Sequence, residues 1–394
     1  MNLRVVKGIL LVAGTSIGGG MLALPVLTSL TGFLPSLLVY CLCWLFMTST
    51  GLILLEICLW TNKETNIISL ADKTLGKPGR IAAWILYLFL FYCLSLAYVV
   101  GCGDLVIELF QESIPEWLGS TLFLMIFAPM VYIGARLVGP INAILMVGLG
   151  VSYVVFVYLG VPHIKTSLLT HQNWSLFPTA FPIAFTAFAY QGIIPTLVHY
   201  MHRDAKQLRT TIIIGSFLPL LVYTIWQALI LGIVPLEGPH GLMETLKLGE
   251  NAVLPLRHFL DNPNVYVVGQ FFAFFALVTS FLGVTLALVD FLADGLAVKK
   301  DQKGKLLLCG LIFVPTLIIS FIYPGIFLIA LDFAGGLGCA LLLGMLPILM
   351  AWSGRYWLGF KGEYSFWGGK PILVILMAFV LFELGCQAYI TFNF

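Results

Sequence analysis

The sequence predicts an all-α polytopic membrane protein of eleven transmembrane helices, two inverted five-helix repeats plus an eleventh helix. Three observations lead there. The 394 residues are 60% apolar and only 10% charged, with a mean hydropathy of +1.03, whereas soluble domains carry about 25% charged residues. Lys and Arg alternate between successive loops, as the positive-inside rule requires of a chain that crosses a bilayer repeatedly. The first and sixth apolar segments are both interrupted near their middles and run in opposite directions, the mark of an inverted repeat.

The elements follow in order. Span 1 (5–28) begins after Arg4 and Lys7 with the charged start and short apolar run of a secretory leader. Its break at Gly14 and the spans that follow make it a retained first helix. Within it lies "AGTSIGGGMLALP", in which glycine costs about 1 kcal/mol and proline about 3 kcal/mol against alanine in a helix interior. Span 2 (33–60) carries Glu56 near its end. Span 3 (81–110) carries Asp104 and Glu108 one turn apart at its outer end. Span 4 (119–134) is the shortest, and span 5 (139–161) has no Asp, Glu, His, Lys or Arg. Span 6 (180–201), "FPIAFTAFAYQGIIPTLVHY", is interrupted by Gln191, Gly192 and Pro195, with His199 near its end. Span 7 is placed at 210–235. The longest outer loop (236–263) is expected to hold short surface helices. Span 8 (264–297) ends in "DFLADGL". Spans 9 (304–323), 10 (326–350) and 11 (371–391) complete the set, with Asp332 in the outer part of span 10 and Glu383 near the middle of span 11. Each is long enough for a hydrocarbon core of about 30 Å.

Seventeen of the twenty Lys and Arg fall on the side of the N-terminus, Lys63 and Lys77 among them. Only Lys165, Lys247 and Arg257 fall on the other. The N-terminus is therefore expected in the cytoplasm and, with an odd span number, the C-terminus outside an inner (plasma) membrane. A net charge of +2 argues against nucleic acid as a partner. Loops are short and no soluble domain interrupts them, so residues 1–394 form one transmembrane unit. Repeat one covers about 5–161, repeat two about 180–350, and the extra helix 371–391. The eight cysteines show no CxxC spacing and are expected as small packing residues, not as a disulfide framework or zinc site. The expected partners are the bilayer and a small molecule. No cofactor and no obligate protein partner are implied.

The breaks carry the chemistry. Backbone groups freed inside a bilayer must find partners at several kcal/mol each, so a broken helix implies something polar in the gap. Gly18, Gly19 and Gly20 would offer N–H groups at the positive end of the outer half-helix, which suits a carboxylate. Carbonyls near Ser16 and on span 6 would suit an ammonium group or a cation. A zwitterionic amino acid has both charges at this scale. The competing explanation, a GxxxG packing face at Gly14 and Gly18, leaves the matching break in span 6 unexplained. A dinucleotide-binding loop is excluded, because no strand precedes the glycines.

"VAGTSIGGGMLALP", "FTAFAYQGIIPTLVHYM", "GSFLPLLVYTIWQ" and, most specifically, "ALVTSFLGVTLALVDFLADGL" resemble the corresponding segments of bacterial tyrosine-specific permeases. These belong to the aromatic branch of the hydroxy/aromatic amino acid permease family, and the resemblance runs over about residues 3–390. It implies a LeuT-type fold and ion-coupled import of an aromatic amino acid by alternating access, with tyrosine favoured and tryptophan next. A hydroxy amino acid such as serine or threonine is the alternative substrate. It places the substrate carboxylate at Gly19 and Gly20, and the amino group near Ser16, Phe185 and Thr186. A tyrosine on the third helix, Tyr98, would reach the substrate, and Phe188, Tyr190 and Gln191 would join Phe185 around its side chain. The pattern Ala276, Thr279, Ser280, with the carbonyls of Gly14 and Ile17, matches the sodium site of sodium-coupled relatives. The aromatic branch is regarded as proton-coupled. Both H+ and Na+ stay open as coupling ions.

Membrane-embedded acids cost about 2.5–3.5 kcal/mol at a span centre and each needs a reason. Asp104 and Glu108 suit an interface, Asp332 an outer gate, Glu383 packing or an oligomer contact, and Glu56 and His199 snorkelling to the interface. Asp290 and Asp294 raise one enzyme alternative, a magnesium-dependent intramembrane prenyltransferase. It needs a second aspartate-rich segment that the sequence lacks, so no enzymatic activity is expected. A passive channel is the other alternative class, and the breaks at mid-membrane argue against an open pore.

Overall fold

The computed structural model describes residues 3–61, 66–110, 113–260 and 263–393. Lys63, counted above among the basic loop residues, lies outside them. The elements are helices α1 (Leu3–Ser16), α2 (Gly20–Leu27), α3 (Phe33–Leu59), α4 (Ile67–Leu109), α5 (Glu116–Ile133), α6 (Ala135–Gly160), α7 (Phe181–Ala187), α8 (Ile194–Tyr200), α9 (Ala205–Ile233), α10 (Leu242–Leu248), α11 (Pro263–Gly295), α12 (Gln302–Ile322), α13 (Phe327–Phe333), α14 (Leu346–Trp352) and α15 (Gly369–Asn393). Among the described residues, nine helices are long and apolar enough to cross a membrane. The pair α1 and α2, bent by 51°, passes the same test as one broken span, and the helix Trp117–Ile133 is apolar but shorter.

Several boundaries differ from the sequence expectation for physical reasons. The first gap covers only Ile17–Gly19, so Gly14 sits inside α1. The third span starts at Ile67, not residue 81. Gly76, at φ +70, kinks a polar opening turn, capped by Asn66, away from the apolar part. One residue, Gly134 at φ +102, forms the whole link between α5 and α6. In the sixth span the gap lies at Phe188–Ile193. Pro195 does not interrupt; it occupies the first turn of α8, where its missing N–H costs nothing. The tenth span continues past 350 and includes a π-helical stretch, Ala334–Met345, between α13 and α14. The long loop at 236–263 does hold a surface helix, α10, and a short turn at Leu254–His258.

Buried hydrogen bonds join the first, second, sixth and seventh spans. The Tyr40 hydroxyl of α3 donates to Gln227 Oε1 of α9 at 2.7 Å, and Gln227 Nε2 donates to Thr28 Oγ1 beyond α2 at 2.7 Å. Thr48 of α3 meets Ser216 of α9 at 3.0 Å. The Gln191 amide donates to the Met47 carbonyl and to Thr50 Oγ1, both 3.1 Å away on α3. On the other flank α6 packs along α11, and α4 along α5 and α11. At the C-terminal end of α3, Glu56 is buried against the Arg355 guanidinium, with Nε to Oε1 at 2.8 Å, and also accepts the Phe366 amide at 2.7 Å.

Candidate functional site

The two gaps meet at one place. α1 packs along α9, and α2 against α7. The Tyr223 hydroxyl of α9 lies 2.7 Å from the Ser16 carbonyl oxygen and 2.8 Å from the Ala187 carbonyl oxygen, and donates to one or the other. One buried hydroxyl thus serves the carbonyl ends left open by both breaks, as the cost of orphaned backbone groups requires. Sequence reasoning missed Tyr223. It lies in a segment singled out above, but its role depends on where both gaps fall in space.

A cavity of about 1040 Å³ starts at the gaps. Its lining includes Gly14, Ser16, Gly18 and Gly20 from the first span, Tyr98 from α4, and Thr186 and Tyr190 from the sixth, with Thr279 and Ser280 from α11. From there it extends to the face bearing Asp72, Arg80, Asp290 and Asp294. On the opposite side the 236–263 loop covers the first span: the Ala252 amide donates to the Leu22 carbonyl at 3.0 Å, and Gly249 packs on Gly325.

The glycines are there because neighbours press on the backbone. A Cβ on Gly18 would lie 2.3 Å from Ser280 Oγ, and one on Gly19 would lie 2.6 Å from Tyr98 Cε1. One on Gly20 would meet nothing closer than 3.6 Å. The Gly19 amide donates to Ser280 Oγ at 3.0 Å. Among the described residues, the amides of Gly18 and Gly20 have no hydrogen-bond partner. The amides left open at the gap are therefore those of Gly18 and Gly20; the Gly19 amide, expected as a donor to a carboxylate, is engaged by α11. Among the described residues, the buried Ser16 hydroxyl has no hydrogen-bond partner. Thr186 Oγ1 donates to the Leu331 carbonyl of α13 at 2.7 Å.

Three expected wall residues do not line the cavity. Phe185 packs on Phe46 and Phe379, with ring centroids 5.1 Å and 6.1 Å away. Phe188 packs between Tyr40 and Tyr223. Gln191 turns to α3 and bonds there. The half-helix rotates these side chains away from the gap, which a linear sequence does not disclose. Tyr98 and Tyr190 do line it, and Tyr190 also donates to the Met47 carbonyl at 3.2 Å. Cavity-lining residues the sequence did not single out include Asn142 and Met146 of α6 and Cys339 of the π-helical stretch.

The helix α11 pattern does come against the first gap. Its hydroxyls have protein partners: Thr279 Oγ1 donates back to the Phe275 carbonyl at 2.7 Å, and Ser280 Oγ accepts the Gly19 amide. Ala276 O accepts from Thr279 at 3.2 Å. Ile17 is not among the lining residues.

The membrane acids are placed differently from several expectations. Glu108 pairs with Arg257 of the 236–263 loop at 2.8 Å and accepts from Tyr266 at 2.7 Å. Asp332 is buried and bonded to Gln387 of α15 at 3.1 Å, and it is not among the residues that line the cavity. Glu56 does not snorkel, because Arg355 and the Phe366 amide hold it inside. His199 is exposed at the end of α8. Asp290 is exposed and pairs with Lys300 at 2.8 Å. Among the described residues no group of three His, Cys, Asp or Glu side chains could hold a metal.

The tryptophan/tyrosine permease family model matches residues 1–387. The tyrosine-specific transport system 1 of Haemophilus influenzae is 32% identical over 386 residues, covering 95% of this chain and 94% of that protein. A tryptophan-specific transport protein of the same organism is 28% identical, covering 96% and 94%. The structure of MhsT in complex with L-phenylalanine superposes with a TM-score of 0.61 at 16% identity, covering 96% of this chain and 98% of that one.

Proposed function

The chain belongs to the tryptophan/tyrosine permease family and has a LeuT-type fold, and from that premise we propose that it is an ion-coupled symporter importing an aromatic amino acid, with tyrosine favoured. The observation that carries this reading is the pair of broken helices opening on one cavity, with unpartnered glycine amides and two tyrosines around it. The Gly18 and Gly20 amides hold the carboxylate. The Ser16 hydroxyl and the carbonyls near Thr186 hold the ammonium group, and Tyr98 and Tyr190 flank the ring, where offset or edge contacts stabilise an aromatic side chain. Tryptophan is the second reading, favoured by the 28% identical tryptophan-specific relative.

We read the chain as eleven spans, counting the short α5, with a 5+5 inverted repeat and an added α15. The cytoplasmic N-terminus follows from the Lys and Arg distribution. The first, second, sixth and seventh spans, joined by their own buried hydrogen bonds, rock against the rest, and the cavity faces the cytoplasm in this conformation. The coupling ion is the proton. The alternative, sodium at Gly14, Ile17, Ala276, Thr279 and Ser280, would share Ser280 Oγ with the Gly19 amide.

Uptake into proteoliposomes with an imposed proton or sodium gradient tests this, with labelled tyrosine and with tryptophan, phenylalanine and serine as competitors. Tyrosine accumulation on a proton gradient, inhibited most by aromatic competitors, is expected. Preference for serine moves the protein to the hydroxy amino acid branch, and equilibration without accumulation makes it a passive pore.

A further inference from the structure

Outside the cavity, α13 and α15 bury two carboxyl groups together. Glu383 is 0% exposed, Asp332 7% and Gln387 2%. Among the described residues, neither Glu383 oxygen has a hydrogen-bond partner, nor does Gln387 Oε1. Gln387 donates its amide to Asp332 Oδ2, and Glu383 stands one turn before Gln387 on the same face of α15. The other titratable groups facing Glu383 are thiols: Cys43 of α3, Cys339 of the π-helical stretch and Cys386 of α15 itself. α7, α14 and the turn at 174–180, which also pack on α15, carry no charged or titratable residue. Among the described residues, no Lys, Arg or His pairs with either carboxyl group. An ionised carboxylate in such a place is strongly disfavoured, and a bound proton removes its charge. A hard cation would need several more oxygen ligands than thiols and phenyl rings supply.

The pair is connected to the substrate cavity through bare backbone. Leu331, beside Asp332, accepts the hydrogen bond of Thr186, a cavity-lining residue. A Cβ on Gly335 would lie 1.8 Å from the Pro182 carbonyl oxygen of α7, and one on Gly336 would lie 1.7 Å from Gln387 Oε1. Two adjacent glycines thus let the tenth span touch α7 on one side and the Gln387 amide on the other. The backbone there is π-helical, a form that recurs at functional sites.

We propose that Asp332 and Glu383, supported by Gln387, bind the co-transported proton, and that the Gly335–Gly336 contact passes the state of this site to the outer half of the sixth span. The assignment rests on the proton-symport reading. Binding adds one proton to a carboxylate oxygen, and release restores the carboxylate. With the proton gone, the charge of Glu383 faces that of Asp332, and like charges in a low dielectric push α13 and α15 apart.

The full chain in proteoliposomes, with labelled tyrosine as probe, tests the assignment. A one-unit pH gradient supports about tenfold accumulation per proton. Glu383→Gln and Asp332→Asn, each measured separately, are expected to lose accumulation on the gradient. Their tyrosine–tyrosine exchange persists and no longer varies with pH, whereas exchange by the wild type does vary. Accumulation at the wild-type level in both variants overturns the site and leaves proton symport standing. Loss of exchange together with accumulation in both makes the pair a packing element and also overturns it. A wild type that ignores the pH gradient overturns proton symport, and the site with it.

Discussion

At the scale of single residues, the first gap is governed by how closely neighbours approach each glycine. Gly18 and Gly19 have no room for a methyl group, because Ser280 and Tyr98 occupy that space, while a methyl group on Gly20 would sit in ordinary contact with Thr186 and Ala187 at 3.6 Å. Gly18→Ala is therefore expected to lower uptake about tenfold or more, equivalent to about 1.4 kcal/mol, and Gly20→Ala to retain a clearly larger share. Initial rates of tyrosine uptake at matched protein density measure this, and equal losses in both would remove the steric explanation. The need for glycine was legible from "GTSIGGG". The reason for each was not, because Ser280 and Tyr98 are distant in sequence and only packing brings them to the gap.

At the scale of elements, the C-terminal ends of the second and tenth spans are held by one buried ion pair. The Glu56 side chain is 2% exposed and the Arg355 side chain 10%. Removing one partner leaves the other charge buried and uncompensated, which costs about 3–5 kcal/mol. Glu56→Gln is expected to lower the thermal unfolding midpoint in detergent substantially. Glu108→Gln removes a pair whose arginine side chain is 37% exposed, and pairs at that level of exposure contribute about 0–1 kcal/mol. Midpoints that fall equally in the two variants contradict this ranking. The sequence offered Glu56 as a snorkelling side chain because its apolar neighbours gave no hint of Arg355, which is 299 residues away. Elements with a strong periodic or charged signal were placed within a few residues. The polar start of α4, the one-residue link at Gly134 and the π-helical stretch were not, since each depends on local backbone geometry that composition does not encode.

At the scale of the whole molecule, the loops divide by charge, and the cavity opens towards the face of Asp72, Arg80, Asp290 and Asp294. Lys77 and Lys165 are both exposed and, by the charge rule, lie on opposite sides of the membrane. In a cysteine-free background, a membrane-impermeant thiol reagent applied to intact cells is expected to modify Lys165→Cys but to reach Lys77→Cys only after permeabilisation. The reverse pattern would invert the orientation and turn the cavity in this conformation to the outside.

Hydropathy and charge alternation are properties of the linear chain, and they sufficed for the membrane class, for most spans and for the two interrupted helices. A bilayer forces each span to satisfy its own backbone, so an interruption is visible wherever glycine and proline collect. Side-chain direction around the gaps is a different matter. A half-helix can turn about its axis, and packing alone sent Phe185 towards Phe379, turned the Gly19 amide to Ser280 and put Tyr223 between two open carbonyls. The burial of Asp332 beside Glu383 is likewise a matter of packing, because it depends on how α13 and α15 meet, and no period or motif in either helix specifies that contact.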